Sequence, residues 1–465
     1  MKPFTIKDIL GAVSEGRLET GDRQNQSRLM GRVITGVSTD TRTLERGDLF
    51  VALQGETDGH RYVEKALEKG CAAVLISNPQ ACPREIPAVI VEDTLKALQQ
   101  LAAWYLSRFS LKKIAVTGST GKTTTKEMLY ALLSTTYQTM KNKGNYNNHI
   151  GLPLTAFTVE DRHEMGIFEM GMSGLGEIHL MADILRPCGA IITNVGLSHI
   201  QRLGSRENIL AAKLEVADFF QKDAFLVIND DNDLLHRAFQ EEKPYRVIPV
   251  GSGEGLDFRI LSVTAEKNEG IRLSMSLSGR TEIFDIPLPG VHNGYNAAEA
   301  IAAAVYLGVS PQACRRALEN FHNTDKRLAM LEAPGDVRII DDTYNASPDS
   351  MKAALSVLKQ AEGSRKIAVL GDMFEMGQLA VDFHRQVGQF AAKEGVDILL
   401  TTGENALWIR QGAENFMKQE YCRHFADKTE LTEALLALLK PGDVVLVKGS
   451  RGMHMEEIVA SIQKR

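Results

Sequence analysis

The feature that most constrains this chain is a short loop, Gly118-Ser119-Thr120-Gly121-Lys122-Thr123-Thr124. An apolar run, Ile114-Ala115-Val116-Thr117, leads into it, and a helical pattern follows over residues 123–133. A strand running through glycines into a helix is the context in which such a loop grips phosphate. The glycines let backbone N–H groups turn toward phosphate oxygens, and the helix N-terminus adds partial positive charge. Lys122 can reach the β- and γ-phosphates, and the Thr123 hydroxyl can hold Mg²⁺. The general form of this loop has a glycine where Val116 stands, so the spacing is unusual.

A fold built on this loop is α/β, and the rest of the chain agrees. Apolar runs at residues 165–169, 190–194 and 224–229 alternate with helical segments, which predicts parallel strands covered by helices. Residues 258–287 alternate more like antiparallel strands, and an alanine-rich helix is expected over 296–307. Before this block, strands are expected at 48–53 and 72–76 around a helix at 62–69. After it, strands at 337–341, 366–370, 398–402 and 444–447 alternate with helices at 350–360 and 383–394, as in a Rossmann-like unit. A chain of 465 residues exceeds one core. We expect three domains: 1–86, small and α/β; 87–321, a mostly parallel sheet around the loop; and 322–465, Rossmann-like.

Other residues gain meaning from position. Glu169 ends a predicted parallel strand, where a carboxylate faces the ligand crevice and suits a hard cation. His199 follows the next strand and is expected at the same crevice. By itself, a loop histidine is more often a surface residue, and Lys213 by itself reads as a solvated helix lysine. The formal charge of −6 argues against a dedicated nucleic-acid binder. The polar N-terminus does not resemble a signal peptide, and no apolar run approaches the length of a bilayer span, so membrane insertion is not expected. Five scattered cysteines (Cys71, Cys82, Cys188, Cys314 and Cys422), with no CxxC pair, suggest reduced thiols in a cytoplasmic protein.

The ordered segments TGSTGKTT, NYNNHIGLP, FEMGM, NVGLSHI, ENILAAK, GVHNGYNAAEA, DKRL, DDTYNASPDSMKAAL, LGDMFEMG and LVKGSRGMHMEEIV resemble the Mur ligase family across nearly the whole chain. These are ATP-dependent amide ligases of bacterial cell-wall precursor synthesis, and the GxxGKT spacing is the form they use. The segments at 344–351, 370–377 and 447–451, with Ser38-Thr39-Asp40-Thr41-Arg42, are most similar to the branch that adds D-alanyl-D-alanine. The Asp-Asn-Pro-Arg signature of the diaminopimelate-adding branch is not found. His149 stands where relatives usually carry an acidic residue, and Thr41 where they carry serine.

The resemblance implies roles. Lys122 would grip ATP phosphates with the loop, and Thr123, Glu169 and His199 would help hold Mg²⁺. Lys213 would be the family's carbamylated lysine, an anionic ligand for a second Mg²⁺. Asn293 and Asn296 would contact adenine, Arg327 the ATP phosphates and Asp342 the ribose. Ser38, Asp40, Arg42 and His60, the last within Asp58-Gly59-His60, would meet the uridine nucleotide, and Asn345 is placed with the substrates on the same ground. The implied substrates are UDP-N-acetylmuramoyl-tripeptide, D-alanyl-D-alanine and ATP, and the expected state is a monomer. The first domain would bind the UDP part, the second ATP and the third the dipeptide, closing onto the second. Lys122, His199, Lys213 and Arg327 would carry the chemistry. Two competing readings are a folylpolyglutamate-synthase-like ligase, which lacks a first block of this type, and a nucleotide-switched regulator.

Overall fold

The computed structural model describes residues 1–19, 26–81, 83, 86–266, 270–322 and 326–465. Cys82 and Asp325, both named above, lie outside them. The architecture is α/β, with one main sheet in each of three units.

The first unit carries five strands in the order Arg17–Glu19, Ala88–Ile90, Ala73–Ile76, Asp48–Val51 and Gly36–Ser38. All but the first pair are parallel. Asp48–Val51 and Ala73–Ile76 are buried along their length, and Phe50, Val74 and Ile90 share one core cluster with Val63 and Ala66 from the helix Val63–Glu68. The sheet corrects the boundary expected at residue 86. Ala88–Ile90 pairs with Val74, Leu75 and Ile76, so the first unit runs past that point. The Pro87 carbonyl accepts from Val74 N–H at 3.2 Å and begins the pairing.

The central unit is a nine-stranded sheet. Seven strands run parallel, in the order Thr139–Lys141, Met165–Glu169, Lys112–Thr117, Gly189–Ile192, Phe225–Asn229, Arg246–Gly251 and Phe258–Ala265. Ile271–Leu277 and Arg280–Ile286 then extend the last of these as antiparallel strands, as the alternation predicts. Strands buried on both faces read as continuous apolar runs, which is why Met165–Glu169 and Gly189–Ile192 were legible. The loop strand, Lys112–Thr117, lies between these two, so the loop opens at the carboxyl edge of the sheet where ligands bind.

Two helices start beside the loop and run together over one face of this sheet, Lys122–Leu133 and Val291–Tyr306. The second begins five residues before the position expected from its alanines. Asn293 and Gly294 precede the alanines, yet both are buried helix positions. A Cβ at Gly294 would come within 2.6 Å of Val263, so the glycine serves close packing against the sheet.

The third unit has six strands in the order Ala329–Ala333, Val337–Asp342, Asp443–Lys448, Arg365–Leu370, Ile398–Thr402 and Cys422–Phe425. Only the Ala329–Ala333 pairing is antiparallel. The two edge strands escaped the sequence reading because they are partly exposed and lack a long apolar run. Cys71, Cys188, Cys314 and Cys422 are free thiols. Among the described residues no helix is long and apolar enough to cross a membrane.

Candidate active site

Two glycines decide the shape of the phosphate loop. Gly118 and Gly121 have φ of 148° and 81°, which side-chain-bearing residues rarely adopt. A Cβ would meet Thr193 Oγ1 at 1.9 Å from Gly118 and Asn296 Oδ1 at 2.3 Å from Gly121. The loop is clamped by the neighbouring strand end. Asn194 accepts from Thr120 N–H at 3.0 Å through Oδ1 and donates to Thr120 Oγ1 at 2.8 Å, and Thr193 Oγ1 donates to the Thr120 carbonyl at 2.6 Å. Lys122 Nζ donates to the carbonyls of Gly118 and Ser119 at 2.8 and 3.3 Å. Withdrawal from water lowers its pKa, Glu169 opposes that shift and Arg327 adds to it.

Beneath the loop sits a buried polar group. Thr123 Oγ1 donates to Glu169 Oε2 at 2.9 Å, and Asn147 Nδ2 donates to Glu169 Oε1 at 2.8 Å. Lys126, fully buried, lies 3.4 Å from the same Oε2. Lys126 and Asn147 were not assigned roles from sequence. Asn147 falls within a quoted segment, but burial is what reveals Lys126.

A cleft of about 500 Å³ opens over this group. The central unit lines it with Lys122, Thr123, Glu169, His199, Asn293 and Asn296, and the third unit with Arg327, Asp342 and Asn345. The structure therefore brings the loop and these third-unit residues together around one cleft. Arg327 stacks on the Tyr344 ring, 4.0 Å from its centroid. Asp342 forms a short ion pair with buried Lys448, which also donates to the Asn345 carbonyl at 2.8 Å. Asn296 donates to Asn293 Oδ1 at 3.0 Å, and Asn293 Nδ2 is tied to the Pro289 carbonyl at 2.7 Å. His292 opens the same helix, and burial pushes its pKa down to about 4.

Three matching family models tile the chain. They are described as Mur ligase family, catalytic domain, over residues 33–105; Mur ligase middle domain, over 116–304; and Mur ligase, glutamate ligase domain, over 326–451. The UDP-N-acetylmuramoyl-tripeptide–D-alanyl-D-alanine ligase of Bacillus subtilis (strain 168) is 42% identical over 434 residues, 92% of this chain and 93% of that protein. The chain belongs to the Mur ligase family. The enzyme of the same name from Escherichia coli (strain K12) is 34% identical over 94% of this chain and 96% of its own length. A crystal structure of MurF from Acinetobacter baumannii superposes with a TM-score of 0.91 at 30% identity, covering 100% of both chains. MurF from Thermotoga maritima, solved in complex with ADP, gives a TM-score of 0.81 at 27% identity, covering 92% of this chain and 97% of that one.

Two predicted residues of this Mur ligase are buried and do not line the cleft. Lys213, on the helix Arg206–Leu214, is 2% exposed. Burial, with Lys122 nearby, lowers its pKa well below the ordinary lysine value, which favours the neutral amine. The solvated-helix alternative is thereby excluded. His60, expected at the uridine site, is also buried. Its Nδ1 donates to Asp58 Oδ1 at 2.6 Å, and its Nε2 accepts from Ser77 and Asn78 N–H at 3.0 and 3.2 Å. Both ring nitrogens are committed, so His60 supports its loop instead of offering a free donor to a ligand. Ser38, Asp40 and Arg42 form one local turn, in which Ser38 Oγ donates to the Asp40 carbonyl at 2.9 Å and Arg42 pairs with Asp40 at 2.6 Å. His149 does not line the cleft; its carbonyl accepts from Gln99 at 3.0 Å.

The donor set suits Mg²⁺. A hard cation takes oxygen, and Mg²⁺ is commonly held by one or two carboxylates together with substrate phosphates. Thr123 Oγ1 and Glu169 provide paired oxygens directly below the phosphate loop. Among the described residues, no three His, Cys, Asp or Glu side chains cluster as a self-sufficient metal site.

Proposed function

We propose that this Mur ligase joins D-alanyl-D-alanine to UDP-N-acetylmuramoyl-tripeptide, converting ATP to ADP and phosphate, in peptidoglycan precursor synthesis. The observation that carries this reading is the 42% identity, over almost the full length, to an enzyme named for that activity. The cleft supports the chemistry. A carboxylate and an amine do not condense at neutral pH without activation. A carboxylate oxygen of the tripeptide attacks the γ-phosphorus, the bond to the β–γ bridging oxygen breaks, and ADP leaves. The amine of the dipeptide then attacks the acyl carbon. A C–N bond forms, the acyl C–O bond breaks, phosphate leaves, and the amine gives up its proton.

The protein positions these groups and offsets charge. Lys122 exchanges its loop carbonyls for phosphate oxygens, the loop N–H groups donate to the same anion, and Arg327 approaches from the opposite wall. Thr123, Glu169 and His199 would hold Mg²⁺, which supplies charge neutralisation at the phosphates. Lys213 as a carbamate would serve a second Mg²⁺; a buried neutral amine is the form that adds CO₂. Asn293, Asn296 and Asp342 are assigned to the nucleoside, Ser38, Asp40 and Arg42 to the uridine nucleotide, and Asn345 to the joining substrates. The first, second and third units are accordingly assigned the UDP moiety, ATP and the dipeptide. We assign the ligase to the cytoplasm as a monomer; the free thiols of Cys71, Cys188, Cys314 and Cys422 agree with that compartment. The test is phosphate release. A ligase releases it only when both acyl and amine substrates are present. Release from ATP alone, unchanged by either substrate, would favour the nucleotide switch.

A further inference from the structure

One contact between the central and third units is built from two unusual backbones. His199 belongs to the central unit and Glu375 to the third, and both hold left-handed φ angles, 65° and 62°. Such angles in non-glycine residues persist only where the surroundings enforce them. Here they bring His199 Nδ1 and Glu375 Oε2 to 2.6 Å. The Glu375 loop is anchored from within its own unit. Phe374 N–H donates to Ser450 Oγ at 2.8 Å, and Asp372, just before it, caps the helix Ala406–Ala413 through Asn405 and Ala406 N–H. A second tie runs alongside, from Gln201 N–H to the Glu375 carbonyl at 3.3 Å.

A carboxylate can only accept, so Nδ1 carries the proton and Nε2 is the nitrogen left with a lone pair. We propose that Glu375 is a positioning residue for His199. It fixes the ring and its tautomer so that Nε2 is presented to a metal ion at the nucleotide phosphates. Histidines that bind metals commonly donate their other N–H to a carboxylate, which orients the ring and raises its basicity. The difference here is that the carboxylate belongs to another unit, so docking of the third unit onto the second completes the metal's surroundings. The inference rests on the magnesium reading above.

The test uses the full chain with a non-hydrolysable ATP analogue and Mn²⁺, following free Mn²⁺ by electron paramagnetic resonance. Glu375→Ala should weaken Mn²⁺ uptake by about tenfold or more. Glu375→Gln, whose amide oxygen still accepts from Nδ1, should keep most of the affinity. In a His199→Ala background Glu375→Ala should add nothing. Wild-type affinity in Glu375→Ala, or full additivity with His199→Ala, overturns the proposal while leaving the ligase reading in place. Absence of analogue-dependent Mn²⁺ uptake by the wild type overturns both.

Discussion

The phosphate loop and the Ser38–Arg42 turn are both motif sites, yet they are held in opposite ways. The loop is clamped by Thr193 and Asn194 from the neighbouring strand end, packed closely against Asn296 at Gly121, and seated on a buried Thr123–Glu169–Lys126 group. The turn is held chiefly by its own residues, and the Arg42 side chain is 84% exposed. A site that must stabilise charge developing during reaction needs donors fixed beforehand. A site that only binds can take its final geometry with the ligand.

The sharpest way to break this contrast is at the loop. Lys122→Ala should lower kcat by about 10²–10³-fold, the usual effect of deleting one preorganised donor. Lys213→Ala should be comparably impaired and regain activity with added short carboxylates, whereas Lys122→Ala should not. Steady-state phosphate release checks both, and full activity of either untreated variant rejects its role.

A smaller effect separates support from contact in the first unit. His60→Ala leaves the Ser77 and Asn78 N–H groups without their acceptor. A loss of about 1–3 kcal/mol in that unit is expected, the cost of burying unsatisfied donors. Denaturant unfolding followed by hydrogen exchange in residues 36–90 reads it. Unchanged protection with a weakened UDP-substrate KM would instead make His60 a ligand contact.

Behind the loop, Glu299 is 1% exposed, and neither carboxylate oxygen has a hydrogen-bond partner among the described residues. Burial raises its pKa well above the usual value. The folded state therefore holds a proton that the unfolded state releases. Glu299 contributes no penalty below its unfolded pKa, and stability falls as pH rises from there toward the folded pKa, by at most about 1.4 kcal/mol per unit. Glu299→Gln should flatten that slope and match or exceed wild-type stability at neutral pH. Thermal melts between pH 5 and 8 decide it, and a steeper slope in the variant would mean that the carboxylate is paired and charged.

How much of this was legible follows from what a sequence encodes locally. Buried strands announce themselves as apolar runs, so the order of Met165–Glu169, Gly189–Ile192 and Phe225–Asn229 could be read. Motif residues whose place follows from the adjoining strand, such as Lys122 at the loop and Glu169 at a strand end, were equally plain to locate. Partnerships were not. Nothing local ties His199 to Glu375, 176 positions away, or Asp342 to Lys448, 106 away, because the sheet topology makes those pairs. Lys213 shows the same limit. Its segment reads as a polar helix, and only packing places its amine out of water.

The smallest expected effect is the most telling about the exposed turn. Arg42 lies on the surface, and its guanidinium pairs with Asp40, two residues away. Such surface pairs contribute little to folding, so Arg42→Ala should leave the melting temperature where it is. If the turn is a uridine-nucleotide contact, the same variant should raise KM for the UDP substrate several-fold while KM for ATP and for the dipeptide stay put. The split matters because it separates two explanations of one motif. A turn retained for its own geometry would move the melting temperature and leave all three KM values alone. A turn that waits for its ligand would do the reverse.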